Sequence, residues 1–443
     1  MPQEEAKLKK LNEALDSMIP ADLLLDQAII SGMEKGRVKK RKRHKHKIWL
    51  AGLVAAAILF VGFSSLIYTS PVFADYISKI PGMEAFVDYL RLDKGLTDAV
   101  KHDYQEIIGL SQKKNGIELT IDSVIKDESG LIVFYSVASD EYRTAIKIEN
   151  GQLLSHNRKE IESSYETGNE LKKMNAHKKY QKKIAYSFIE PFKMNDFYLP
   201  FTVTGEGLKE HFTFHLALKK SKAKSKVYQM NKTFSFAGQK ITLESVIINP
   251  LRADIYLKQD PANPKLILQY DHLRIVDEKG EEWSIQQNGI SGSGSIKENE
   301  YHIYLQSNYF KHAEKLYIVF DRMQAVDRDK AAIVIDTANK KILSGPDGHL
   351  QWHMEKDMIS FDKELKEKFQ YSVFGDITDA KGRNIEMVGE IGEWKEASSG
   401  GKSGYNQTFR IQLKPNQTYT DPLKIDLFAY PLWIEDHVKI RIK

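Results

Sequence analysis

The spacing of apolar positions changes character twice along the chain. Near the N-terminus Leu8, Leu11, Leu15 and Met18 recur at helical spacing, with Lys7, Lys9, Lys10, Asn12 and Glu13 on the other faces. Pro20 interrupts this period; Leu24 with Ala28, and Leu25 with Ile29 and Met33, begin another. Residues 4–36 are therefore expected to form two short amphipathic helices. An arm of this length cannot bury enough apolar surface to fold well alone. Its apolar faces need a cover. Either a partner protein takes Leu8, Leu11, Leu15, Leu24, Leu25 and Ile29 into a groove, or the arm lies on the anionic inner leaflet.

Ile48–Tyr68 then runs 21 residues without a charge, enough at ~1.5 Å per residue to cross a hydrocarbon layer of ~30 Å. The basic run before it, with Arg37, Lys39, Lys40, Arg41, Lys42 and Arg43, is topogenic. Positive-inside bias places residues 1–47 in the cytoplasm and everything after Tyr68 outside. Val72-Phe-Ala74 has the small-residue pattern of a cleavage site. The preceding charged region and the apolar run are both longer than those of a cleaved signal peptide. The expectation is an uncleaved signal-anchor of a single-pass cell-membrane protein, with Ala74 as the place where later cleavage would fall.

Beyond residue 69 the texture changes again. A linker-like stretch, 69–99, carries Pro71, Pro81-Gly82 and Asp93-Lys-Gly-Leu, with room for one or two short helices. Short alternating runs rich in Val, Ile, Tyr and Phe follow, separated by turn dipeptides. Leu119-Thr-Ile-Asp-Ser-Val-Ile125 matches Ile241-Thr-Leu-Glu-Ser-Val-Ile247, each after a glycine, Gly116 or Gly238. Asp277-Glu-Lys-Gly280 corresponds to Asp379-Ala-Lys-Gly382, and Ala331–Ile335 to Val438–Ile442. Repetition at ~100–120 residues is the size of an immunoglobulin-like sandwich. The predicted fold class is mainly β: a helical arm (1–47), one transmembrane helix (48–68), the linker, then β-sandwich domains at 100–222, 230–340 and 345–443. The last of these either stands alone or completes the second.

Composition narrows the chemistry. The chain has 443 residues and no Cys, which excludes disulfide scaffolds, thiolate metal sites and thiol catalysis. The net charge of +5 is accounted for within residues 1–47, and the remaining residues balance. A protein-wide nucleic-acid surface is therefore not indicated, and no direct nucleic-acid partner is expected. Lys172–Lys183 reads as an exposed loop or helical insertion, and Lys219–Lys226 as a boundary; both are solvated runs or contacts for anionic envelope polymers. Gly401-Lys-Ser403 lacks the earlier glycine of a phosphate loop, the position holding Glu396, and reads as a hairpin loop. His349 and His353 stand four apart with no third ligand in view. The expectation is no catalytic residue, no metal, no cofactor and no enzymatic activity.

Ser70–Gly82, Asp93–Ala99 and Gly116–Asp127 together resemble the domain-of-unknown-function 4179 family, and residues 230–340 resemble the companion immunoglobulin-like domain of unknown function 5643. Ile19–Met33 is similar to the N-terminal segment of the first family. The resemblance implies a Gram-positive single-pass membrane protein acting as an anti-sigma factor of an extracytoplasmic-function sigma factor, hence in transcription regulation. The cytoplasmic arm would sequester the sigma factor while the extracytoplasmic β domains sense the envelope. Lacking Cys, the arm departs from zinc-type anti-sigma domains, so its contact would be hydrophobic and electrostatic. The alternative is a non-enzymatic envelope protein whose β domains bind cell-wall polymers or another protein. Expected partners are the lipid bilayer, a sigma factor and an anionic cell-wall polymer.

Overall fold

The computed structural model describes residues 93–443 apart from 166–168, 221–222, 285–291, 296–297, 349 and 400–401. The arm residues Leu8, Leu11, Leu15, Leu24, Leu25 and Ile29, the basic run Arg37–Arg43, the apolar stretch Ile48–Tyr68 and Ala74 lie outside the described residues. The expected fold class needs one correction. No helix among the described residues is long and apolar enough to cross a membrane. The α-helix described, α1 (Lys94–Lys101), has 8 residues, a length of about 12 Å, so a membrane-spanning helix is not part of the observed fold.

Apart from a 3-10 turn at Arg328–Lys330, strands make up the rest of the regular structure among the described residues, and the named strand pairs are antiparallel. The first sandwich opposes two sheets. One runs β1 (Glu106–Lys114), β2 (Ile117–Lys126), β3 (Gly130–Ser139), β7 (Tyr180–Ser187), β5 (Ser164–Tyr165); the other runs β6 (Asn169–Met174), β4 (Arg143–Asn150), β8 (Asp196–Gly205), β9 (Leu208–Ala217). In β9, Leu208, Phe212, Phe214 and Leu216 alternate with Lys209, His211, Thr213 and His215. That period puts the apolar set into a core shared with Leu119, Ile121, Val133 and Tyr135 of the opposite sheet. The lysine-rich stretch 172–183 is not a helix or a single loop. It supplies the end of β6, paired with β4 up to Arg143↔Met174, and the start of β7, paired with β3 from Val137↔Tyr180, with a turn between.

The second sandwich opposes β10 (Lys226–Phe236), β11 (Gln239–Ile248), β12 (Arg252–Gln259), β17 (Glu300–Gln306), β16 (Gly292–Ser295) to β13 (Lys265–Gln269), β18 (Leu316–Asp327), β14 (Arg274–Asp277), β15 (Glu282–Ser284). The third opposes β20 (Lys341–Ser344), β19 (Ala332–Asp336), β26 (Leu423–Leu427), β23 (Phe374–Thr378) to β21 (Gln351–Glu355), β22 (Met358–Leu365), β25 (Lys402–Leu413), β24 (Met387–Ser399). The C-terminal strand β27 (Trp433–Arg441) leaves the third sandwich and pairs with β18 of the second. Sheet β13–β18 is buried on both sides: Ile267 and Ala325 enter the second core, Leu266, Leu268 and Val326 the third.

The internal repeats have structural meanings. Asn115-Gly116 and Ala237-Gly238 have positive φ at both residues, the two-residue hairpin turn whose twist matches the flanking strands. In the repeated heptads, Ile121 faces Tyr135 and Ser123 faces Phe134, while Leu243 faces Leu257 and Ser245 faces Tyr256. Asp122 and Glu244 are therefore the extra residues of equivalent β-bulges. The Asp-x-Lys-Gly segments are equivalent turns. Asp277 Oδ1 accepts from Lys279 N at 2.9 Å and Glu281 N at 2.8 Å, and Asp379 Oδ1 from Lys381 N and Arg383 N, both at 2.9 Å.

Candidate functional site

The β2–β3 turn of the first sandwich and the β11–β12 turn of the second, equivalent positions of the two repeats, meet each other. Asp127 folds the first turn by accepting from Ser129 N at 2.7 Å, Ser129 Oγ at 2.8 Å and Gly130 N at 2.9 Å through Oδ1. Its Oδ2 reaches across to accept from Leu251 N at 2.7 Å. From the second turn, Arg252 donates through Nε to Asp254 Oδ1 at 2.6 Å and through Nη2 to the Phe188 carbonyl at 2.8 Å. Its guanidinium lies 3.7 Å from the centre of the Tyr304 ring. Asn249 Nδ2 completes Asp254 at 2.8 Å, and Asn249 Oδ1 accepts from Ser225 Oγ at 2.6 Å.

This is a charged node inside protein. Asp127, Arg252 and Asp254 are all buried. Burial pushes the Asp127 carboxyl up, against the hydrogen bonds from Leu251 and Ser129 and the charge of Arg252. The same desolvation raises Asp254 to about 6, with Arg252 offsetting part of it. A cleft of about 150 Å³ opens beside the node, lined by Glu128, Phe188, Ile189, Val227 and Tyr256 among others. Ile189 and Val227 expose apolar surface there.

A second connection lies nearby. Asp93 caps α1 by accepting from Leu96 N at 3.0 Å, and Leu96, Thr97, Ala99 and Val100 are buried. The helix sits on the loop after β17: a Cβ on Gly95 would come within 2.5 Å of Ser307 N. Lys311 Nζ lies 3.3 Å from Asp98 Oδ2, and His102 stacks on Phe310 with ring centres 4.6 Å apart. Residues 94–99, expected within a linker, are thus a structural staple. The sequence signal that marks them is Asp at the cap followed by Lys-Gly-Leu.

A larger cleft, of about 470 Å³, is lined by Tyr104, Glu106, Ile107, Lys126, Asn195, Lys219 and Lys220 among others. Lys126 Nζ donates to Asn195 Oδ1 at 3.2 Å and lies 4.8 Å from the Phe192 ring centre; burial lowers its pKa. Lys219 and Lys220, from the expected boundary run, are brought to Lys126 by this fold. His353 lies 3.5 Å from Asp362, and His349 is outside the described residues. Lys402 and Ser403 belong to β25, facing Ser399 and Ser398. Among the described residues no group of three or more His, Asp or Glu is placed to hold a metal ion.

Comparison with known proteins gives family matches of undetermined role. Residues 43–139 match a domain of unknown function (DUF4179), and residues 225–351 match a family of unknown function (DUF5643). No curated protein matches the chain. Among solved structures, the crystal structure of the conserved domain protein from Bacillus anthracis is similar at 18% identity and a TM-score of 0.36, covering 54% of this chain and 84% of that one.

Proposed function

We propose that this chain, which joins a DUF4179 segment to a DUF5643 segment, is a non-enzymatic regulator in which the N-terminal arm sequesters an extracytoplasmic-function sigma factor and the β body responds to the cell envelope. The three sandwiches are read as immunoglobulin-like binding modules. The observation that carries the reading is the docked helix α1. Residues following the arm-bearing part of the chain are capped by Asp93, buried through Leu96 and Val100, and clamped to the second sandwich at Ser307 and Lys311. A change in how the first two sandwiches meet would thus act on the helix from which the chain leads back to the arm. The buried Asp127–Arg252–Asp254 node fixes one arrangement of that junction, so a signal acting there would have to break or re-pair it.

The test is co-purification of the full chain with the sigma factors of its cell. One sigma factor should be recovered specifically, and changing Leu11 and Leu15 together to Asp should abolish that recovery. Recovery that survives the double change overturns the groove-bound arm. If the intact chain recovers no sigma factor, the weight moves to a second reading. That reading rests on the lysine cleft, where Lys126, Lys219 and Lys220 would meet the phosphates of an anionic wall polymer.

A further inference from the structure

The third sandwich ends in an unusual edge. β24 has 13 residues and, among the described residues, β25 as its one neighbour. Natural sheets defend such edges with charged side chains, proline, bulges, short length or covering elements, because an open row of N–H and C=O groups templates another strand. Of these β24 uses charge, in Glu390, Glu393, Lys395 and Glu396, whose two signs can also complement a second copy. β24 contains no proline. Its single irregularity lies between Met387 and Gly389, and from Gly389 to Ser399 the register with β25 runs unbroken. Residues 391–396 are exposed on both faces. Met387, Val388, Ile391 and Trp394 all present apolar surface, Trp394 at 45% exposure.

The order of charges along this edge selects its occupant. In antiparallel pairing, directly opposed residues share a face and their side chains meet. A two-fold axis through Trp394 sets Glu393 opposite the partner's Lys395 and Lys395 opposite the partner's Glu393. Trp394 then meets the partner's Trp394, and Gly392 faces the partner's Glu396, where the missing side chain leaves room. No like charges oppose each other anywhere between Gly389 and Ser399. Moving the axis by one residue to Glu393 or Lys395 sets a charge against itself, and moving it to Gly392 forms no ion pair. Two contacts within the chain flank these positions. Arg410 Nη1 holds Glu393 Oε2 at 2.6 Å on the outer face, where Glu393 also remains 55% exposed. Lys368 Nζ lies 3.4 Å from the Trp394 ring centre, on the inner face.

We infer that β24 is a homodimer interface, at which a second copy of this chain adds its own β24 antiparallel about Trp394 to make one continuous sheet of the two third sandwiches. Closed two-fold pairing satisfies both edges at once, and so removes the template that either edge alone would offer.

The chain has no cysteine, so one introduced thiol reports one position. The full chain carrying Trp394→Cys, in a non-ionic detergent, should form a disulfide-linked dimer on mild oxidation, because the axis sets that residue against itself. Val227→Cys, equally exposed on the second sandwich, should not. Charge swapping gives the independent arm. Glu393→Lys and Lys395→Glu should each weaken self-association at least tenfold by light scattering, through like charges opposed twice. An equimolar mixture of the two variants should recover it, since each strand then opposes Lys to Glu at both positions. A wild-type monomer at every concentration, equal crosslinking at the two thiols, or a mixture as weak as its components overturns the interface.

Discussion

Asp254 is a residue whose charge state the fold controls. Burial holds its pKa near 6, above the usual carboxylate range, even with Arg252 at 2.6 Å. A carboxyl whose folded pKa is raised binds its proton more readily folded than unfolded. Its contribution to stability is therefore present at low pH and drains away as pH climbs from about 4 to about 6, with nothing further lost above that. The rise corresponds to about 3 kcal/mol. Urea unfolding of the wild type and of Asp254→Asn at pH 4, 5, 6 and 7.5 should show the wild type losing about that much relative to the variant across the window. A difference that stays constant with pH would mean that Asp254 is solvated in the folded chain. The residues of this node were hard to read from sequence. Asn249-Pro-Leu-Arg252 lies between two β runs, and nothing local says that Arg252 turns back onto Asp254 and reaches Phe188 in the preceding sandwich. The partner is supplied by tertiary packing.

At the scale of elements, the repeated heptads were legible because alternation and turn glycines are local properties; what they encode, a bulge at Asp122 and at Glu244, shows only in the pairing. Helix α1 was less legible. Eight residues hold little more than two turns of period, and the surface that buries them, around Ser307 and Phe310, lies far along the chain. The lysines of 172–183 likewise obscured the end of β6 and the start of β7. The docking of α1 makes a sharp prediction. Gly95→Ala improves intrinsic helix propensity, yet its Cβ would stand 2.5 Å from a backbone nitrogen, which cannot swing aside as a side chain could. The substitution should destabilise by roughly 1–3 kcal/mol and speed hydrogen exchange of the α1 amides. Stabilisation, as propensity alone predicts, would show that the helix is not clamped to the second sandwich.

Over the whole molecule, the decisive feature is where the last strand goes. The sequence echo between Ala331–Ile335 and Val438–Ile442 marks β19 and β27, which follow β18 and β26 along the chain. In the structure they trade partners. β19 pairs with β26 of the third sandwich, and β27 pairs with β18 of the second along Tyr317–Gln324. Local similarity specifies a strand but not its neighbour, because pairing is decided by which apolar face is left to cover. The exchange is reinforced by sheet β13–β18, whose two faces feed both cores. Trp433 adds to it by donating to Asp271 Oδ2 at 2.8 Å. Two sandwiches that share a sheet and exchange strands should unfold together. Removing residues 433–443 takes the ladder from one side of β18 and withdraws Ile440 and Ile442 from the second core. The damage is then expected not near the cut but in residues 265–327. Those amides should lose hydrogen-exchange protection, and the joint transition should fall by roughly 10–15 °C for several kcal/mol lost. Scanning calorimetry of the full chain should resolve one transition for the second and third sandwiches together. Truncation that leaves that transition in place would mean that β27 merely decorates the second sandwich, and that each of the two closes its core without the other.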